Sequence, residues 1–157
     1  MRDSSNEAYK KTYAPFIVWM LVMIAATGGV PFLVSALTGE NDKLMIDSIL
    51  LTVLLCVQAL MYLIWRGEYV YWINGGPTFE QAKSAGSEAR RRYARAHLDL
   101  FSKASLAGCA YLALSVLLAL PELLDAAVVC ALIIAAACKT MPIRFDSAPA
   151  DESASSK

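Results

Sequence analysis

The chain is poor in charge and almost without histidine. Only 18% of its 157 residues are Asp, Glu, Lys or Arg, while 57% are hydrophobic; a soluble domain carries about 25% charged residues. His97 is the single histidine, which excludes a metal centre built on several histidine ligands. Cys56, Cys109, Cys130 and Cys138 all sit in apolar stretches and form no C-x-x-C pair. That placement argues against a disulfide framework or a zinc site and leaves them as small packing residues. Ionisable residues are also missing from the middles of the apolar runs, and charges there are what ordinarily mark proton relays and ion paths. Too few titratable groups converge for a catalytic centre. We expect no enzyme activity, no catalytic residue, no metal and no cofactor.

What is present is apolar and bunched. No charge interrupts Thr12–Gly39 (28 residues), Ser48–Trp65 (18), Ala104–Pro121 (18) or Ala126–Cys138 (13). About 18 to 20 such residues are needed to cross the hydrocarbon core. The first three runs qualify directly. The fourth qualifies if its helix starts at Pro121, a residue suited to a first helical position, with Glu122 and Asp125 near the positive end of the dipole. The alternative is a re-entrant hairpin and three spans. The expected fold is therefore an all-α integral membrane protein with four transmembrane helices. They span about 14–38, 46–66, 102–120 and 121–140, in one membrane domain over 1–145. The small, polar tail 146–157 has the composition of a disordered segment. Gly28, Gly29 and Pro31 should loosen or kink the first helix near its outer end.

Four spans sort the basic residues onto two sides. The N-terminal tail has Arg2, Lys10 and Lys11; the middle segment has Arg66, Lys83, Arg90, Arg91, Arg92, Arg95 and Lys103; the C-terminal end has Lys139, Arg144 and Lys157. Only Lys43 falls on the other side. Cytoplasmic segments carry the Lys and Arg excess, so this positive-inside pattern puts both termini and the middle segment in the cytoplasm. Short loops and compact size suit a prokaryotic plasma (inner) membrane. The basic leader of the first span resembles a signal peptide only superficially, because its apolar run is longer than the 7 to 15 residues of a cleaved one.

The middle segment, 67–101, is the one non-membrane part with distinctive chemistry. The second helix is expected to continue through 62-YLIWRGEYVYW-72, which would put Tyr62, Trp65, Tyr69 and Trp72 on one face as an interfacial aromatic stripe. Such a stripe could alternatively cage a quaternary ammonium headgroup. Gly75, Gly76 and Pro77 then break the chain, and Thr78 with Gln81 has capping-box spacing for a short helix. Ser87 should cap the next helix, running without a break into the third span. That helix is amphipathic: Ala89, Tyr93, Ala96, His97, Leu100 and Ala104 share one direction, while Arg91 and Arg95 oppose it and Arg90 lies at the margin. Glu88–Arg92 and Arg95–Asp99 have i,i+4 spacing.

Arg90, Arg91, Arg92, Arg95 and His97 are thus the candidate lipid- or partner-binding residues. The expected function is that of a non-enzymatic accessory or regulatory membrane protein. Its basic amphipathic helix would contact anionic lipid or a partner membrane protein. The alternative is an oligomeric small channel or transporter subunit. Ala25/Gly29, Ala104/Gly108 and Ala127/Ala131/Ala135 have small-xxx-small spacing, which serves packing within the bundle or a homo-oligomer. Gln58, deep in the second span, is expected to hydrogen-bond across helices. No nucleic acid partner is expected, since no basic domain with base-stacking aromatics is present.

Overall fold

The computed structural model describes residues 9–39 and 41–146, and these are helical throughout apart from short connections. Four helices are long and apolar enough to cross a membrane. They are α1 (Ala14–Thr38), α2 (Asp42–Gly67), α4 (Gly86–Leu118) and α5 (Glu122–Thr140). A 3-10 turn (Val70–Trp72) and the six-residue α3 (Phe79–Ser84) lie between α2 and α4. All of the expected tail 146–157 except Asp146 lies outside the described residues, as does Arg2.

α1 runs from Tyr13 to Gly39 because nothing charged interrupts it and Pro15 sits in its first turn, where a missing N–H costs nothing. Pro31 is inside the helix, which continues past it. α5 forms one uninterrupted helix rather than a hairpin; Pro121 is its N-cap and not its first residue. Its 19 residues reach roughly 28 Å, enough to cross. α4 is 33 residues long, roughly 50 Å, so a large part of it extends beyond any bilayer core. It begins at Gly86 with Ala85 as N-cap and no side-chain cap. Ser87 is therefore not the cap; its hydroxyl is committed to Glu68. The capping box of Thr78 and Gln81 forms as expected and starts α3.

α2, α4 and α5 pack as a three-helix unit, with α1 laid chiefly against α2. Leu54, Leu112 and Val129 form one core. Ile64, Val70, Ala82, Tyr93 and Ala94 form a second, at the end of the bundle where α2 stops. Gln58 Nε2 donates to Ser102 Oγ at 2.8 Å, the expected link between the second and third spans. The small residues differ in use. Gly108 is buried at the α2–α4 contact, where an added Cβ would lie 2.7 Å from Leu54 Cδ1. Ala127, Ala131 and Ala135 face outward on α5, as do Ala25 and Gly29 on α1. Gly108→Ala should be nearly neutral, because the end of the Leu54 side chain can turn away. Gly108→Ile should cost about 1–3 kcal/mol by forcing the helices apart, read as a shift in the unfolding midpoint in mixed micelles.

Candidate functional site

Polar side chains gather in two places, one at each end of the bundle. At one end, α2 stops at Gly67, and Glu68 takes the left-handed conformation with φ 58°. Glycine usually holds that C-terminal position because a Cβ is strained there by about 1–2 kcal/mol. Glu68 holds it for its carboxylate. Ser87 Oγ donates to Oε1 at 2.5 Å, Arg91 Nε to Oε1 at 2.7 Å and Arg90 Nε to Oε2 at 2.8 Å. These three donors come from the first turns of α4, so one carboxylate fastens the end of α2 to the start of α4.

Arg90 is the buried member of this latch, 1% exposed. Its Nη1 donates to the Ala82 carbonyl at 2.9 Å, and its guanidinium carbon lies 3.9 Å from the Tyr9 ring centroid. Burial raises the Tyr9 phenol well above its ordinary range despite the opposing Arg90 charge, so the ring under the guanidinium stays neutral and suits a cation–π contact. Burial also tends to raise the Glu68 carboxyl, but hydrogen bonds from Ser87, Arg90 and Arg91 outweigh it and hold it below the ordinary 4.5. A depressed folded-state value contributes stability that is complete above pH 4.5 and is lost as pH falls through the lower value. Proteolysis of the 68–85 segment should therefore rise in the wild type as pH falls below 4.5. In Glu68→Gln the segment should be open already and indifferent to pH over that window.

The latch alters the expected roles of the basic residues. Arg90 does not stand at a margin facing lipid; it is internal. Glu88–Arg92 and Arg95–Asp99 do not form ion pairs, whereas Glu68 takes Arg90 and Arg91. Arg91, Arg92 and Arg95 are exposed along one side of α4, with Lys103 further along. His97 is buried rather than exposed beside these arginines, at 4%; its Nδ1 lies 3.0 Å from the Tyr93 carbonyl.

The aromatic stripe is also rearranged. Because α2 ends at Gly67, Tyr62 and Trp65 remain on it, while Tyr69 and Trp72 turn back in a separate stacked pair 4.2 Å apart. Gly67 makes room for this turn: an added Cβ would lie 2.1 Å from the Tyr69 ring. Tyr71 and Trp72 bind the residues before α1, with Tyr71 and the Trp72 indole both donating to the Thr12 carbonyl. Tyr9 OH donates to the Glu68 carbonyl at 2.6 Å and its ring stacks on Phe79. The expected interfacial aromatics are thus packed on each other, and Tyr62, against Trp65, is the one that stays exposed, at 51%.

The chain matches no protein-family model, no curated protein and no solved structure. Function has to be read from these residues alone.

The second cluster, at the opposite end, is one that sequence reasoning passed over. Lys43 Nζ donates to Asp125 Oδ2 and to Ser115 Oγ, and forms an ion pair with Asp47 Oδ2 at 3.0 Å. Ser115 in turn donates to Asp125 Oδ1. Asp125 and Ser115 are fully enclosed and Asp47 is 6% exposed. Neither Asp47 oxygen receives a hydrogen bond from the described residues. The network ties α2 to α4 and α5 where their loops turn. Two signals pointed to it: Lys43 is the one exception to the charge bias, and it stands four residues before Asp47. No group of three or more His, Cys, Asp or Glu suited to a metal occurs among the described residues.

Proposed function

We propose that this is a multi-pass membrane protein of the prokaryotic plasma membrane with both termini cytoplasmic, acting as a non-enzymatic accessory or regulatory component. It contacts anionic lipid headgroups, or an acidic face of a partner membrane protein, through Arg91, Arg92 and Arg95. The observation that carries this reading is the exposure of Arg92 and Arg95 with no acidic partner among the described residues, beside Arg91 on a helix continuous with a span. Continuity fixes their distance from the bilayer. A cationic side chain held near an anionic leaflet contributes on the order of 1 kcal/mol, so three give useful affinity without selecting a partner. Arg90 belongs to the latch that orients them.

The test is anionic lipid retention by the purified full chain through detergent exchange, counted by native mass spectrometry. Replacing Arg91, Arg92 and Arg95 together with glutamine should reduce phosphatidylglycerol retention by roughly tenfold to a hundredfold and leave phosphatidylcholine unchanged. If lipid retention is unchanged but capture of an acidic membrane protein is lost, the partner form of the proposal holds. If neither changes in the correctly inserted variant, the reading fails.

A further inference from the structure

A cavity of about 410 Å³ opens at the end of the three-helix unit where α2 stops, within the range of small-molecule sites. α2 contributes Met61 and Ile64, the 3-10 turn Trp72, α4 Tyr93 and His97, and α5 Ala137. No Asp, Glu, Lys or Arg is among its lining residues. Its one buried polar group of consequence is the His97 imidazole. The Tyr93 carbonyl can only accept, so His97 Nδ1 carries the hydrogen in their 3.0 Å contact. A neutral imidazole then presents Nε2 as a lone-pair acceptor. No described residue donates to it. This acceptor belongs to a side chain that is 4% exposed and lines a cavity otherwise walled largely by apolar groups.

We propose that this cavity binds a neutral amphiphile whose hydroxyl donates to His97 Nε2 while its apolar body lies against Met61, Ile64, Trp72 and Ala137. The absence of charged lining residues selects against anionic and cationic headgroups, and the free acceptor at His97 Nε2 suits a hydroxyl. The site is separate from the exposed arginines and does not depend on the reading given to them. Two sources share this chemistry: the free hydroxyl of a diacylglycerol-type lipid, and the phenolic hydroxyl of a quinol with an alkyl tail.

The experiment is a titration of the full chain in lipid nanodiscs, following tryptophan emission and thermal stability. The probes are dioctanoylglycerol and octylhydroquinone, each beside its O-methylated form. Binding of one hydroxyl compound should exceed that of its methyl ether by about fivefold or more, the worth of one net hydrogen bond. Which pair responds identifies the source. His97→Phe should bring the hydroxyl compound down to the level of its ether, and His97→Gln, which keeps an acceptor, should restore part of the difference. Ala137→Leu fills the cavity with His97 intact and should abolish binding of both forms. The proposal is overturned if no probe binds, if hydroxyl and ether bind equally to the wild type, or if Ala137→Leu leaves binding unchanged.

Discussion

Lys43→Met is expected to destabilise the protein by about 3–5 kcal/mol, the cost of leaving a buried ionic partner uncompensated. Among the described residues, Lys43 is the only cation facing two enclosed carboxylates, Asp47 and Asp125, and it also holds Ser115. Methionine keeps the length of the side chain and much of its apolar stem, so the loss isolates the charge. Asp125 is the more demanding of the two carboxylates, being fully enclosed between α4 and α5. The triple variant Lys43→Met, Asp47→Asn, Asp125→Asn removes the whole set and should recover more than half of the loss, because buried ionic sets replaced together are often close to neutral. Unfolding midpoints in mixed micelles measure both effects. A silent Lys43→Met, or a triple variant no better than the single, would show that the network does not hold that end of the bundle together.

Glu68→Ala is expected to have the next largest effect, about 2–4 kcal/mol, concentrated at the opposite end of the bundle. The substitution strands Arg90, which is buried and retains the Ala82 carbonyl and the Tyr9 ring. It also removes the reason for a non-glycine residue at φ 58°. Glu68→Gly separates the two terms, since glycine relieves the backbone strain while still losing the carboxylate; it should be less damaging than alanine by about 1 kcal/mol. Hydrogen exchange should rise in 68–85 and at the start of α4 and remain low in the middles of α2, α4 and α5. Uniform loosening across all helices would contradict a local latch.

The four spanning helices were legible because burial in lipid and burial in protein both demand long apolar runs, and Thr12–Gly39 could form little else. The capping box at Thr78 and the Gln58 contact across helices were legible for a related reason, being local chemistry with few alternatives. The stripe through Tyr62, Trp65, Tyr69 and Trp72 misled because its spacing suits a helix, while the turn depends on Glu68 meeting residues about twenty positions later. Arg90 misled similarly: angular position on a helix gives its direction but not what comes to cover it. Lys43 and Asp125 are 82 residues apart, and nothing local in either marks the other. Local patterning thus gave the spans and their order, and the long-range ionic contacts had to be found in space.

The orientation of the whole arrangement is best tested by labelling with a membrane-impermeant maleimide on intact cells. In a background with Cys56, Cys109, Cys130 and Cys138 replaced by serine, single cysteines are introduced at Asn41 and Leu120 on one side and at Ser84 and Gly75 on the other. Asn41→Cys and Leu120→Cys should label from outside, while Ser84→Cys and Gly75→Cys should label only after the membrane is opened. Labelling of Ser84→Cys or Gly75→Cys in intact cells, with Asn41→Cys protected, would place Arg91, Arg92 and Arg95 on the wrong side of the membrane.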